Sequence, residues 1–326
     1  MTMNQGIRHE TVFTAVLLAA STVAAFSNDY YMYIFTLATV FAILTVSFDV
    51  LLGYTGYISM AHGALFGVGA YTLSYLMVRE GWSFWLALLA AGVMAGLCGV
   101  LVGAISFRTK GLYFAVLTLG IGLIGQQAFF LVEGITGGIA GIAGMFPPTI
   151  GSLGDKHVML ILAVVILWIT YVLARWFVRS RLGAASLAVR EDLVLAQTLG
   201  IRVGLARLSA FAFSSFFAGI AGALYACLFG YISPEAFGVL NLGFHSVVQV
   251  VVGGMGTLWG PAIGTFVMVA LPELVRSAAQ YSLLFYGVIM LLVIRFAPNG
   301  IAGLAINFKR KTGRRKATPE PAGKGA

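Results

Sequence analysis

From Tyr30 to Gly230 the chain consists of apolar runs of membrane-crossing length joined by short polar connections, and this leaves few folds open. In hydrocarbon every backbone N–H and C=O needs an internal partner, which a helix of about 20 apolar residues provides. Apolar runs are placed at Thr11–Phe26, Tyr30–Leu52, Ser59–Val78, Ser83–Ser106, Leu112–Val132, Val158–Val178 and Leu208–Gly230, with further apolar regions at His245–Val275 and Ser282–Ala297. Charged residues make up 10% of the chain, against roughly 25% in soluble domains. The expectation is an all-α polytopic membrane protein with about eight to ten transmembrane segments. Residues 1–326 form a single membrane domain on this reading, because no polar stretch is long enough for a separate soluble one.

The net charge of +9 invites a nucleic-acid reading, but Lys and Arg gather in a few connections and in the tail. Lys and Arg mark cytoplasmic loops of membrane proteins. If the connection 179–207 is cytoplasmic, alternation places Arg8, Arg108 and Lys110 on the same side and leaves Arg79 and Lys156 outside. The tail 309–326, with Lys309, Arg310, Lys311, Arg314, Arg315 and Lys316, is read as a disordered cytoplasmic anchor, so both termini are cytoplasmic. Arg8, the apolar run after it and Ala24–Ala25 also have the form of a cleavable signal, against which stands a retained first span.

Between Arg207 and the cytoplasmic tail an even number of crossings is required, so His245–Val275 cannot be one span. The segment GGMGTLWGP (Gly253–Pro261), with its glycines and proline, is expected to break it into two short crossings or a re-entrant hairpin. A second break is expected in LLGYTGYISMAHGALFGVGAY (Leu51–Tyr71), where repeated glycine at membrane depth means close packing, a broken helix or a cavity wall. Gly53 and Gly56 share their spacing with Gly253 and Gly256, a hint of an internal repeat.

No phosphate-binding glycine loop, metal-spaced Cys/His cluster or nucleophile triad is present, so no enzymatic activity, metal or cofactor is expected. Cys98 and Cys227 read as small core residues. Acids near the spans are few: Asp49, Glu133, Glu235 and Glu273, all towards span ends. Ion-coupled carriers keep such groups within their spans, so a conduit driven by another subunit is favoured. The connection 179–207 offers the link to that driver. In it Asp192 caps a short helix, Leu193, Ala196 and Leu199 line one face, and Gly200 ends it; Arg190, Glu191 and Asp192 suit docking into a protein groove, the other reading being a helix lying on lipid.

LLGYTGYISMAHGALFGVGAY, AVRED…LGI leading into LSAFAFSSFFAGIAGALYA, VVGGMGTLWGPAIGT and the closing APNGIAGL occur in this order, and together they resemble the LivM-like permease subunits of ABC importers for branched-chain amino acids. The resemblance covers about Tyr33 to Gly303. It implies a subunit of the bacterial inner membrane that pairs with a second homologous permease and two cytoplasmic ATP-binding subunits, and takes substrate from a periplasmic binding protein. Similar permeases serve urea, short amides and aromatic acids. The coupling pattern Glu-Ala-Ala, three residues, Gly is matched at Ala196 and Gly200, while Val194 and Leu195 replace its first two residues; the polar part then falls to Arg190, Glu191 and Asp192. Asp49 stands where many relatives have Asn, and is read as capping the broken segment or lying near substrate.

Polar side chains at membrane depth complete the set. Tyr54, Ser59, His62, Gln126, Gln127 and Gln249 either line a path for a zwitterionic amino acid or bind helices to one another, since an unpaired amide in hydrocarbon costs several kcal/mol. An autonomous secondary carrier is the alternative of a different class. It would need no ATP and would lose ion coupling when Asp49 or Glu273 is neutralised.

Overall fold

The computed structural model describes residues 14–15, 17, 19–25, 27–109, 111–148, 154–274, 287–288, 295 and 300–303. Helices dominate. Apart from a one-turn helix at Glu133–Thr136 and two 3-10 turns, they are in chain order α1 (Asp29–Thr55), α2 (His62–Val78), α3 (Phe84–Ser106), α4 (Leu112–Leu131), α5 (Asp155–Arg179), α6 (Arg181–Glu191), α7 (Leu193–Thr198), α8 (Val203–Phe229), α9 (Phe244–Gly253) and α10 (Trp259–Leu274). Five of them, α1, α3, α4, α5 and α8, are long and apolar enough to cross a membrane, which makes the chain an all-α, multi-pass membrane protein. The described residues within Thr11–Phe26 are helical. The expected span Ser282–Ala297 falls almost wholly outside the described residues, as do Arg8 and the tail 309–326.

Two helices form the centre. α8 packs on α1, α2 and α3, and α1 packs in addition on α5 and α10. Small residues permit this closeness, as in other membrane bundles where backbone approach replaces hydrophobic driving force. A Cβ on Gly69 of α2 would collide with the backbone of Gly219 on α8, and one on Gly222 of α8 with the Phe66 carbonyl. The glycines of Leu51–Tyr71 thus serve packing as well as a break, since α1 ends at Thr55 and α2 begins only at His62.

The region His245–Val275 is divided, as parity requires. α9 has 10 residues and α10 is described over 16; at 1.5 Å per residue α9 is about 15 Å long, half of a core of about 30 Å. They lie side by side, Gly264 against the Gln249 carbonyl and Gly253, with Gly260 and Pro261 also against Gly253. The chain therefore turns back at Gly254–Leu258. A π-helical segment, Val239–Gly243, leads into α9.

Helix ends gather at two ends of the bundle. At one end Lys156 meets Asp29, Nζ to Oδ2 2.5 Å, and the short strand Ile142–Ala143 pairs antiparallel with Tyr231–Ile232. At the other end α6 meets the close of α1, and the turn Gly254–Leu258 joins them.

Candidate functional site

The turn between α9 and α10 is held by side chains some 200 residues earlier. Asp49, fully buried in the penultimate turn of α1, accepts from the Gly256 N–H at 2.7 Å through Oδ1 and from the Leu258 N–H at 3.0 Å through Oδ2. Tyr54 Oη donates to the Gly256 carbonyl at 2.9 Å. Leu258 is the only non-glycine residue with positive φ, +60°, among those described, and a turn so shaped needs outside support. Gly53 admits the turn, because a Cβ there would overlap Gly256 N and Asp49 itself. Of the two roles read for Asp49, the observed geometry is that of a cap on the broken segment.

Arg190, near the end of α6, reaches into the same knot: its Nη1 donates to the Gly53 carbonyl and its stem lies against Gly56. The connection 179–207 is thereby bonded directly to the C-terminal end of α1 and, through Gly53 and Asp49, to the hairpin turn.

The connection itself is two helices, one more than its sequence indicated. Ser180 caps α6, accepting from Leu182 N–H (3.2 Å) and Gly183 N–H (3.4 Å). Asp192 caps α7 through Oδ1, accepting from Val194 N–H at 2.8 Å and Leu195 N–H at 3.0 Å. Gly200 follows α7 at φ +77°, the left-handed stop suited to glycine. Ala196 packs with Val189, Val203 and Ala206. Leu199, expected on that inner face, is 71% exposed; Val194 and Leu195 are exposed too, at 66% and 56%, while Ile201 takes the inner place. Six residues make under two turns, so a face extended to Leu199 runs past the helix end. Apolar residues therefore project outward from a short, well-capped helix.

His62 opens α2 and is fully buried. Its Nδ1 lies 3.1 Å from Ser59 Oγ and its Nε2 2.9 Å from Ser214 Oγ on α8, with Phe48 and Phe211 against the ring. Both ring nitrogens are thus engaged between three segments. Gln249 is buried on α9. Gln126 and Gln127 lie elsewhere, on α4, of which only 22% of the apolar window is covered by protein, against 78% in α1. Gln126 is half-buried beside Gly238, and Gln127 is exposed. The polar residues picked from the sequence hence occupy separate places: Tyr54 in the turn knot, Ser59 and His62 in a buried network, Gln249 in the hairpin, Gln126 and Gln127 on the open helix.

Two participants escaped sequence reasoning. Ser214 lies in the quoted LSAFAFSSFFAG segment, but only three-dimensional proximity distinguishes it from Ser215. Arg207 looks like a loop charge and is instead 4% exposed at the start of α8, its guanidinium 4.4 Å from the centre of the Tyr57 ring, a cation–π arrangement. Among the described residues no three His, Cys, Asp or Glu side chains converge as a metal site.

Residues 30–294 match the family described as the permease component of the branched-chain amino acid transport system. The chain belongs to this permease family. High-affinity branched-chain amino acid transport system permease protein LivM of Escherichia coli K12 is 32% identical over 292 residues, covering 82% of this chain and 68% of that protein. LivM of Salmonella typhimurium LT2 is 31% identical, over 86% of this chain and 72% of its own length. This permease is also similar to the LivH protein of the same Salmonella strain, 26% identical over 82% of this chain and 92% of the relative. No solved structure matches the permease.

Proposed function

We propose that this chain is the transmembrane permease subunit of an ATP-driven importer for branched-chain or similar amino acids, in the bacterial inner membrane with both termini cytoplasmic. The family match over residues 30–294 carries this reading. It works beside a second homologous permease, on two cytoplasmic ATP-binding subunits, and receives substrate from a periplasmic binding protein. Hydrolysis belongs to the ATP-binding subunits, and this chain supplies path and lever.

The lever is the connection 179–207. Val194 and Leu195 on α7, with Leu199 just past its end, form its apolar docking surface towards an ATP-binding subunit, with Arg190, Glu191, Asp192, Ala196 and Gly200 setting its shape. Closure of the ATP-binding subunits pushes α7, and Arg190 carries the displacement to Gly53 and the hairpin turn, so that α9 and α10 move with the loop. The path runs along the open face of α4, where Gln126 and Gln127 offer amide groups to a zwitterion, against the second permease. Gln249 borders it in the hairpin. Tyr54, Ser59 and His62, each hydrogen-bonded across segments, set the shape of the wall. Asp49 is supported as a cap, not an ion-coupling acid, by its two backbone donors.

Gentle purification of tagged chain from native membranes, followed by mass spectrometry and an ATPase assay with candidate binding proteins, tests the proposal. Co-purifying ATP-binding subunits and a second permease, with hydrolysis stimulated by one loaded binding protein, are expected. Transport by this chain alone without ATP overturns it and establishes a carrier.

A further inference from the structure

At the end of the bundle away from the turn knot lies a cavity of about 500 Å³, formed by the start of α1, the start of α5, the end of α8 and the chain at Met145–Pro147. Small-ligand sites have volumes of about 300–1,000 Å³. Its lining separates by chemistry. Deep residues are apolar and soft: Met32, Met145 and Met159 are each buried, at 2%, 0% and 2% exposure. Methionine has rotatable bonds and a polarisable sulfur, so three of them fit side chains of differing branching. Charged residues of both signs stand at the rim. Asp29 opens α1, Asp155 and Lys156 open α5, and Lys156 Nζ is 2.5 Å from Asp29 Oδ2.

We propose that this cavity is an outer binding site for a free α-amino acid with an aliphatic side chain. The ligand's ammonium group is received by Asp29 and Asp155, its carboxylate by Lys156, and its side chain by the apolar interior that the three methionines back. Asp29 and Lys156 are 73% and 63% exposed, and an ion pair so exposed contributes little to stability, so a zwitterion can take over both charges at small cost. The rim suits a zwitterion better than an anion, which would meet two carboxylates for one ammonium. The choice of ligand rests on the importer reading: substrate released at the membrane surface meets this end of the bundle first. The site gives the permease a selection step of its own, for a free amino group, a free carboxylate and an apolar side chain.

The test is equilibrium binding of radiolabelled leucine to the full chain, with its co-purifying subunits, in lipid nanodiscs without binding protein. Met159→Trp fills the cavity and Lys156→Glu repels the carboxylate at an exposed position, so the second variant stays informative if the first misfolds. Leucine binds the wild type, and each variant weakens it by at least about tenfold; Lys156→Arg retains it, and neither leucinol nor N-acetyl-leucine competes. Unchanged leucine affinity in both variants overturns the site. So does absence of binding to a wild-type complex that takes up leucine with ATP and binding protein, or a lipid found in native mass spectrometry of the wild type, lost in Met159→Trp, with no leucine bound. Leucine binding abolished by both variants, in a preparation showing no ATP-driven uptake of any amino acid, leaves the site standing and overturns the importer reading instead.

Discussion

Removing the Asp49 carboxyl tests the hairpin argument most directly. In Asp49→Ala the N–H groups of Gly256 and Leu258 lose acceptors at 2.7 and 3.0 Å. A buried donor left unsatisfied costs about 1–3 kcal/mol, so two cost about 2–6 kcal/mol if nothing replaces the carboxyl. Asp49→Asn keeps one acceptor oxygen and sets its amide hydrogens against the other donor, which puts its cost at about 1–3 kcal/mol. The loss should be local first, because the turn opens before the bundle separates. Hydrogen exchange by mass spectrometry over residues 250–262, beside thermal unfolding in detergent, provides the assay. Faster exchange confined to that segment is expected, larger for Ala than for Asn, with a lowered unfolding temperature. Equal exchange in all three proteins would refute the assignment of Asp49 as the cap.

Other perturbations separate packing from coupling. Gly69→Ala places a methyl group onto the Gly219 backbone and should reduce the yield of monodisperse protein, whereas Gly120→Ala, with open space at its Cβ, should be tolerated; size-exclusion profiles compare them. A double-mutant cycle of His62→Phe and Ser214→Ala should give a coupling of about 0.6 kcal/mol, up to about 1.7, the range measured for hydrogen bonds between membrane helices; additive effects on unfolding would show that the 2.9 Å contact contributes nothing. Asp192→Ala removes the cap of α7, worth about 0.5–2 kcal/mol, and should weaken co-purification of the ATP-binding subunits while leaving this chain's abundance in membranes unchanged. Arg190→Ala should preserve that assembly but lower transport per ATP hydrolysed, measured in proteoliposomes.

What the sequence discloses follows from what repeats along it. Apolar runs and charge placement locate spans to within a few residues because the bilayer imposes the same demand on every crossing; Leu112–Val132 and α4 end one residue apart. α8 begins at Val203, five residues before the expected Leu208, because Arg207 is accommodated by Tyr57 rather than by water. Parity required the break in His245–Val275, and composition located it, since glycine and proline act locally. The partners of Asp49, Tyr54, His62 and Arg190 were not legible. Each lies 137 to 209 positions away for its long-range bond. No periodicity encodes such pairs. The cavity at Met145 was equally hidden, its walls coming from four separate stretches.

The short hairpin also governs how the protein is made. α9, with 10 residues, is too short to be accepted into the bilayer as an independent span, and the turn after it has its acceptor on a helix completed about 200 residues earlier in synthesis. The Asp49 carboxyl of α1 therefore lacks these two donors until the ribosome has delivered Gly256 and Leu258. This end of the bundle is completed only after the intervening chain has been made, so the order of synthesis leaves it open while the rest can already pack.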